Sequence, residues 1–168
     1  MSRDRTALLI SGALITIVFG FMIIEKERHL SDGELLLLEL GPRDPRSLIQ
    51  GDYMRLRYAV IDDTLDALSY TDPRIDREED LIVVVRVDQR HVAEFSRVAS
   101  DGEKLADDER TLLLRHKSNG YAIGAETFLF QEGARPRFEQ ARYGGVKRSR
   151  SGSLLLVGLY DEELAQIE

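Results

Sequence analysis

The chain has 168 residues, 43% of them hydrophobic and 32% charged, with 30 acidic against 23 basic side chains and no cysteine. That length suits one modest domain, and the lack of cysteine excludes a disulfide framework, a thiolate nucleophile and any cysteine-based zinc or iron–sulfur site. A net charge of −7 argues against a nucleic-acid surface, which needs a concentrated basic face to neutralise phosphates.

The average hides an asymmetry, because Ala7–Ile24 is a run of eighteen uncharged, mostly apolar residues. At about 1.5 Å per residue a helix of this length spans roughly 27 Å, close to the roughly 30 Å hydrocarbon core of a bilayer. Met1–Thr6 and Glu25–Arg28 supply polar flanks. The run ends in Phe21-Met22-Ile23-Ile24 rather than in small residues, so it reads as an uncleaved anchor and not as a signal peptide. It is apolar on every face, unlike a helix that buries one stripe in a core. Arg3, Arg5 and the terminal amine lean the orientation toward a cytoplasmic N-terminus, a bias that Lys26 and Arg28 weaken. The expected organisation is a cytoplasmic N-terminus over 1–6, a transmembrane anchor over 7–24, a juxtamembrane helix or linker over 25–33, and a soluble extracytoplasmic domain over 34–168. Gly12, Thr16 and Gly20 recur every four residues and form a stripe along which a second membrane helix can pack closely. Such residues are also common in transmembrane helices at large, so the stripe has two readings.

Glu25–Ser31 continues the helix until Asp32-Gly33 breaks it. Glu34–Leu40 reads as a buried strand with leucines on both faces. The prolines of Gly41-Pro42-Arg43-Asp44-Pro45 exclude a central strand there. Tyr53–Val60 alternates, predicting a strand with Met54, Leu56, Tyr58 and Val60 inward and Tyr53, Arg55 and Arg57 outward. Asp62 or Asp63 caps a short helix through Ser69, and Thr71–Asp80, polar and containing Pro73, is expected to be a loop. Leu81–Asp88 and Val92–Val98 form the clearest strand pair, joined through Gln89-Arg90-His91. Arg110–Lys117 turns at Asn119-Gly120 into Tyr121–Phe130. A second helix is expected over Ala134–Tyr143, with Pro136 in its first turn and Gly144-Gly145 as its stop. Val146–Arg150 and Leu154–Tyr160, joined at Ser151-Gly152, complete the series. About seven strands and two short helices make a mainly β domain, a small barrel or a two-layer sheet, beside the one N-terminal transmembrane helix.

Gly51-Asp52-Tyr53-Met54-Arg55-Leu56-Arg57-Tyr58 joins a turn signal to an alternating strand. Gly51 suits a positive φ, Asp52 can accept local N–H groups, and the two tyrosines carry apolar rings whose hydroxyls need partners. The octapeptide matches in full the motif after which the GDYXXLXY family is named. The chain resembles that family further at Asp44–Gln50, Phe130-Gln131-Glu132-Gly133, Ala141-Arg142-Tyr143-Gly144 and Leu155-Leu156-Val157-Gly158-Leu159. This resemblance implies a bacterial membrane-anchored protein, often associated with a multi-pass membrane protein, and it brings no catalytic residues. The motif has two candidate roles. It can be a turn-and-strand signature, Gly51 and Asp52 with Tyr53, Leu56 and Tyr58, that fixes register between the leucine strand and its neighbour, or a binding edge of Asp44, Arg46, Asp52 and Tyr53 that Arg142 or Tyr143 could join from another strand.

An anchor, an external β domain and a Pro-rich segment leading to Gly-Asp also loosely resemble signal-peptidase-like serine hydrolases. Such chemistry needs a serine beside a base. Ser47 lacks the Ser-x-Met pattern, and Lys26, Lys104, Lys117 and Lys147 sit in exposed-looking contexts. His29, His91 and His116 have no metal-ligand spacing, and Asp62, Asp63 and Asp66 lack the EF-hand glycine and spacing. Lys147-Arg148-Ser149-Arg150 reads as protection of an exposed strand edge, since the chain from Glu25 onward has a net charge of −8. No catalytic residue, metal or cofactor is assigned. The expectation is a single-pass protein of the bacterial inner membrane, a non-catalytic accessory module whose partners are the lipid bilayer and a multi-pass membrane protein, with no nucleic acid. An extracytoplasmic ligand sensor, with a pocket lined by Tyr53, Arg57 and Tyr143, is the alternative.

Overall fold

A computed structural model describes residues 3–41, 53–71, 79–100, 102–118, 120–131, 133–149 and 152–168, with backbone only at 3–9, 25–32, 70–71 and 135. The chain forms two compact units, Met1–Gly33 and Glu34–Glu168. The first is one helix, α1 (Arg3–Asp32), which takes in the whole apolar run and the charged residues after it. Its described side chains are exposed at consecutive positions, Ile17, Val18 and Phe19 and again Phe21, Met22, Ile23 and Ile24. Consecutive residues on a helix point in different directions, so the apolar surface goes all the way round. Counted over the described side chains alone, which on α1 run from Ile10 to Ile24, no helix is long and apolar enough to cross a membrane.

The second unit is mainly β. Its strands are β1 (Glu34–Glu39), β2 (Tyr53–Arg55), β3 (Leu81–Val87), β4 (Val92–Val98), β5 (Glu109–Lys117), β6 (Gly120–Ala122), β7 (Thr127–Leu129), β8 (Tyr143–Arg148), β9 (Leu154–Tyr160) and β10 (Gln166–Ile167). Two helices interrupt them, α2 (Ala59–Thr71) and α3 (Arg135–Phe138). Eight strands form one sheet in the order β10-β9-β8-β1-β4-β3-β5-β6, and β2 with β7 forms a separate ribbon. Among the described residues only β1 and β4 pair in parallel; the other pairs are antiparallel. The leucine run of β1 therefore sits in mid-sheet, with Leu36 and Leu38 in the core and Leu37 buried as well, as its two-faced pattern requires.

In a flat sheet β8 and β5 would stand four strand spacings of about 4.8 Å apart. Instead Arg148 on β8 donates through Nε to the Thr111 carbonyl on β5 at 2.7 Å and through Nη2 to the Thr111 hydroxyl at 2.9 Å. Glu34 on β1 likewise reaches Arg110 on β5 at 2.7 Å. The sheet is thus strongly curled around a core that includes Leu36, Val83, Val85, Leu112, Leu114 and Val146. Two further pieces pack on this core. Val60, Thr64 and Leu68, one helical face of α2, are buried, and the Thr64 hydroxyl is satisfied by the Val60 carbonyl at 2.6 Å. Met54 and Phe128 from the ribbon add a second contribution.

Several expectations are corrected by this arrangement. The strand expected over Tyr53–Val60 ends at Arg55; Tyr58 makes only an isolated bridge to Leu40, and α2 starts at Ala59. The in-out alternation nevertheless holds through Tyr58. Val60 belongs equally to that alternation and to the helical series Val60, Thr64, Leu68, and the helix wins because it buries all three. The strand expected over Tyr121–Phe130 breaks at Ile123–Glu126, where Gly124 takes φ +84° and the Glu126 carboxylate accepts the N–H groups of Ile123 and Gly124. The second helix covers only Arg135–Phe138, since Arg142 donates to the Tyr160 carbonyl at 2.8 Å and draws the chain into β8. Gly144 and Gly145 are strand residues, not a helix stop. In contrast, the β3–β4 hairpin is as expected, with Asp88 Oδ1 accepting from Arg90 N and Val92 N, each at 2.8 Å, and His91 at φ +66°. Residues 72–78 of the expected loop lie outside the described residues.

Candidate functional site

The motif strand divides into an outward half and a buried half. Tyr53 and Arg55 on β2 are exposed, whereas Leu56 and Tyr58 are buried. Tyr58 is fully enclosed, and its hydroxyl donates to the Ala125 carbonyl at 2.7 Å. Burial, with the nearby Glu126 charge second, pushes its phenol well above the ordinary range, so it stays protonated and serves as a donor. The ring lies against β8, where a Cβ built on Gly144 would come 2.8 Å from Tyr58 Cε1 and 3.0 Å from its hydroxyl oxygen. Gly145 is covered in the same manner by the ring of Tyr160. The segment Arg142-Tyr143-Gly144 thus meets the motif through a missing side chain.

Neighbouring contacts anchor the same end of the domain. Leu40 N donates to the Arg142 carbonyl, Gly41 N to the Arg57 carbonyl and Leu56 N to the Glu126 carbonyl, at 2.7–2.9 Å. Arg57 pairs with Asp62 at 2.6 Å, and Arg142 with Glu39 at 2.7 Å. Tyr143 stands opposite both Glu39 and Tyr160 in the sheet. Arg142 and Tyr143 therefore join Glu39 and Tyr160, while Tyr53 stands opposite Leu129 on the ribbon. Asp44, Arg46, Gly51 and Asp52 of the expected binding edge, and Ser47, lie outside the described residues.

A shallow cleft of about 240 Å³ opens beside α2, lined by Glu39, Asp63 and Glu94 with Ala59, Val60 and Phe95 among its walls. Burial, then the charges of Asp62, Asp66 and Glu39, raises the Asp63 carboxyl above its usual range. The lining does not include Tyr53, Arg57 or Tyr143, the residues expected around a sensor pocket. Among the described residues no group of three His, Cys, Asp or Glu side chains is placed to hold a metal ion. On α1, Thr16 donates its hydroxyl to the Gly12 carbonyl at 2.9 Å, and a Cβ at Gly12 or Gly20 would meet nothing within 4 Å. The stripe is open.

A polar cluster with no sequence signal of its own braces the outer face. Arg97 on β4 reaches across β3 and holds the Glu109 carboxylate with two bonds of 2.6 and 3.0 Å, while also donating to Glu103. Glu109 is almost wholly buried and accepts from Ala106 N as well. The Arg97 bonds, followed by that backbone bond, hold its carboxyl at about 2. A carboxyl lowered in the folded state contributes stability above its unfolded pKa and loses that contribution as pH falls through the folded value. Thermal melts should therefore show the midpoint declining between roughly pH 4.5 and pH 2. Arg97→Met should flatten the decline; an unaltered slope would mean other carboxylates govern it.

The fold is thus a curled, mainly β domain whose signature strand is half buried peg and half exposed ribbon. A family model, GDYXXLXY protein, matches residues 15–159, so the chain belongs to the GDYXXLXY protein family. No curated protein and no solved structure matches it.

Proposed function

We propose that this protein is a single-pass, membrane-anchored accessory module without catalytic activity of its own. Its N-terminus is cytoplasmic, and its β domain faces the periplasm or cell exterior of a bacterium and associates with a multi-pass membrane protein. The observation that carries this reading is the apolar surface of α1, with Ile10 63%, Ile17 68% and Phe21 70% exposed and no polar face among the described side chains. A helix apolar all round is stable only when lipid or protein covers it. In the sequence the apolar run extends to Ala7 and reaches eighteen residues, enough for one span. Extraction of membranes at high pH should leave the full chain in the pellet. Alkaline phosphatase fused after Glu168 should be active, and the same fusion before Met1 inactive. Release at high pH, or the reversed fusion pattern, would overturn the assignment.

The open stripe of Gly12 and Gly20 supports a helix partner within the bilayer. Replacing both by isoleucine should sharply reduce recovery of the multi-pass partner in mild detergent while membrane retention stays constant. Equal recovery would place the contact elsewhere.

A further inference from the structure

We propose that the outward face of the β2–β7 ribbon, formed by Tyr53, Arg55, Thr127 and Leu129, is where the domain grips a protein partner, and that the partner presents an apolar side chain beside a carboxylate. This deepens the interaction reading above and rests on it. Tyr53 lies opposite Leu129 and Arg55 opposite Thr127, so alternation puts all four on one face while Met54 and Phe128 point to the core from the other. The inward pair accounts for the folding of the ribbon. Folding does not account for the outward pair, because Leu129 is 74% exposed, the highest value among the described large apolar residues of the β domain. Tyr53, its cross-strand neighbour, is exposed as well.

Charge complementarity selects the partner. Arg57 is neutralised by Asp62 and Arg142 by Glu39, but Arg55 makes no ion pair or hydrogen bond among the described residues, nor does the Tyr53 hydroxyl. A tyrosine and a leucine beside an arginine with no partner among the described residues have the composition of an energetic centre in a protein interface. A carboxylate would be drawn to Arg55 and an apolar side chain to the Tyr53–Leu129 pair. Anionic lipid would require several clustered cations, and among its described residues this face carries one. The face also begins immediately after Gly51-Asp52, which places it on the motif itself.

The test places a photoreactive benzoylphenylalanine at position 129 of the full chain in native membranes and maps the cross-linked peptide by mass spectrometry. The expected adduct joins a different protein, at a segment with an apolar residue next to Asp or Glu. Arg55→Glu should lower the yield roughly tenfold or more, and changing the partner's carboxylate to lysine should restore it. Unchanged melting of Arg55→Glu is the check that the domain still folds. An adduct with a second copy of this chain, with lipid alone, or with a yield indifferent to Arg55→Glu would overturn the proposal. If a partner still co-purifies equally with wild type and with Leu129→Ser/Arg55→Glu, this face is wrong and the accessory reading stands. If no protein co-purifies with the wild type, the accessory reading fails first.

Discussion

Truncating Tyr58 to alanine should cost the β domain about 3–5 kcal/mol, a large share of the roughly 5–15 kcal/mol that holds an ordinary domain folded. The ring is completely enclosed, and its removal leaves a cavity between β8 and the Ala125 segment together with an unpaired carbonyl. Tyr58→Phe isolates the second part of that loss, because the ring volume stays and only the donor to Ala125 disappears. It should cost about 1–3 kcal/mol. Gly144→Ala attacks the same contact from the other side, since a methyl group 2.8 Å from Cε1 forces either ring or strand to move. Overpacking of this kind costs about 1–3 kcal/mol. The two sites share one space, so a smaller residue at 58 makes room for the methyl. The double variant Tyr58→Leu/Gly144→Ala should therefore lose less than the sum of its single variants, by about 1 kcal/mol or more. Urea unfolding of the four proteins measures this directly, and strict additivity would mean that Gly144 is glycine for a reason other than Tyr58.

A single aspartate in the middle of the apolar run should have the largest effect on location. Ile15 stands at its centre, and a carboxylate there costs about 2.5–3.5 kcal/mol on insertion scales, equivalent to roughly a hundredfold in the membrane equilibrium. Ile15→Asp should move much of the protein from the pellet to the supernatant in high-pH extraction. Ile82→Asp is the matched control, placing the same charge on a half-exposed strand position of the β domain, and should leave the distribution as in the wild type. If the two variants behave alike, α1 is held by a protein surface and not by lipid.

Most local structure was readable along the chain because it depends on neighbours a few residues apart. The β3–β4 hairpin follows from a β-branched run, Asp88 as an acceptor and an alternating return, all within eighteen residues. The burial of β1 on both faces follows from its four consecutive leucines. Boundaries failed where one pattern served two periods. Val60 satisfies both a strand and a helix, and the choice fell to α2, whose buried face extends to Leu68. Only part of the candidate site could be read in the same way. The expected division of the motif into outward Tyr53 and inward Leu56 and Tyr58 is what the structure has. Leu129 gave no signal, since a leucine in an apolar strand looks inward until its cross-strand register with Tyr53 is known. Arg97 and Glu109 were equally silent, because their union requires β3 to lie between β4 and β5.

The amino-acid sequence alone was sufficient for three things: the helical apolar run at the start, the mainly β character of the remainder, and membership of the family through its octapeptide. The first two depend on composition or short-range periodicity and the third on a match to the family's motif, all of which survive in one dimension. The purpose of Gly144 depended on the folded chain. Glycine before a polar strand reads as a helix stop, and it becomes a seat for an aromatic ring only when residue 58 is brought beside residue 144. The same holds for the curled sheet, in which Arg148 bonds to a carbonyl four strands away. Contacts between distant segments carry no local preference, so the energy that selects them exists only once the core has closed.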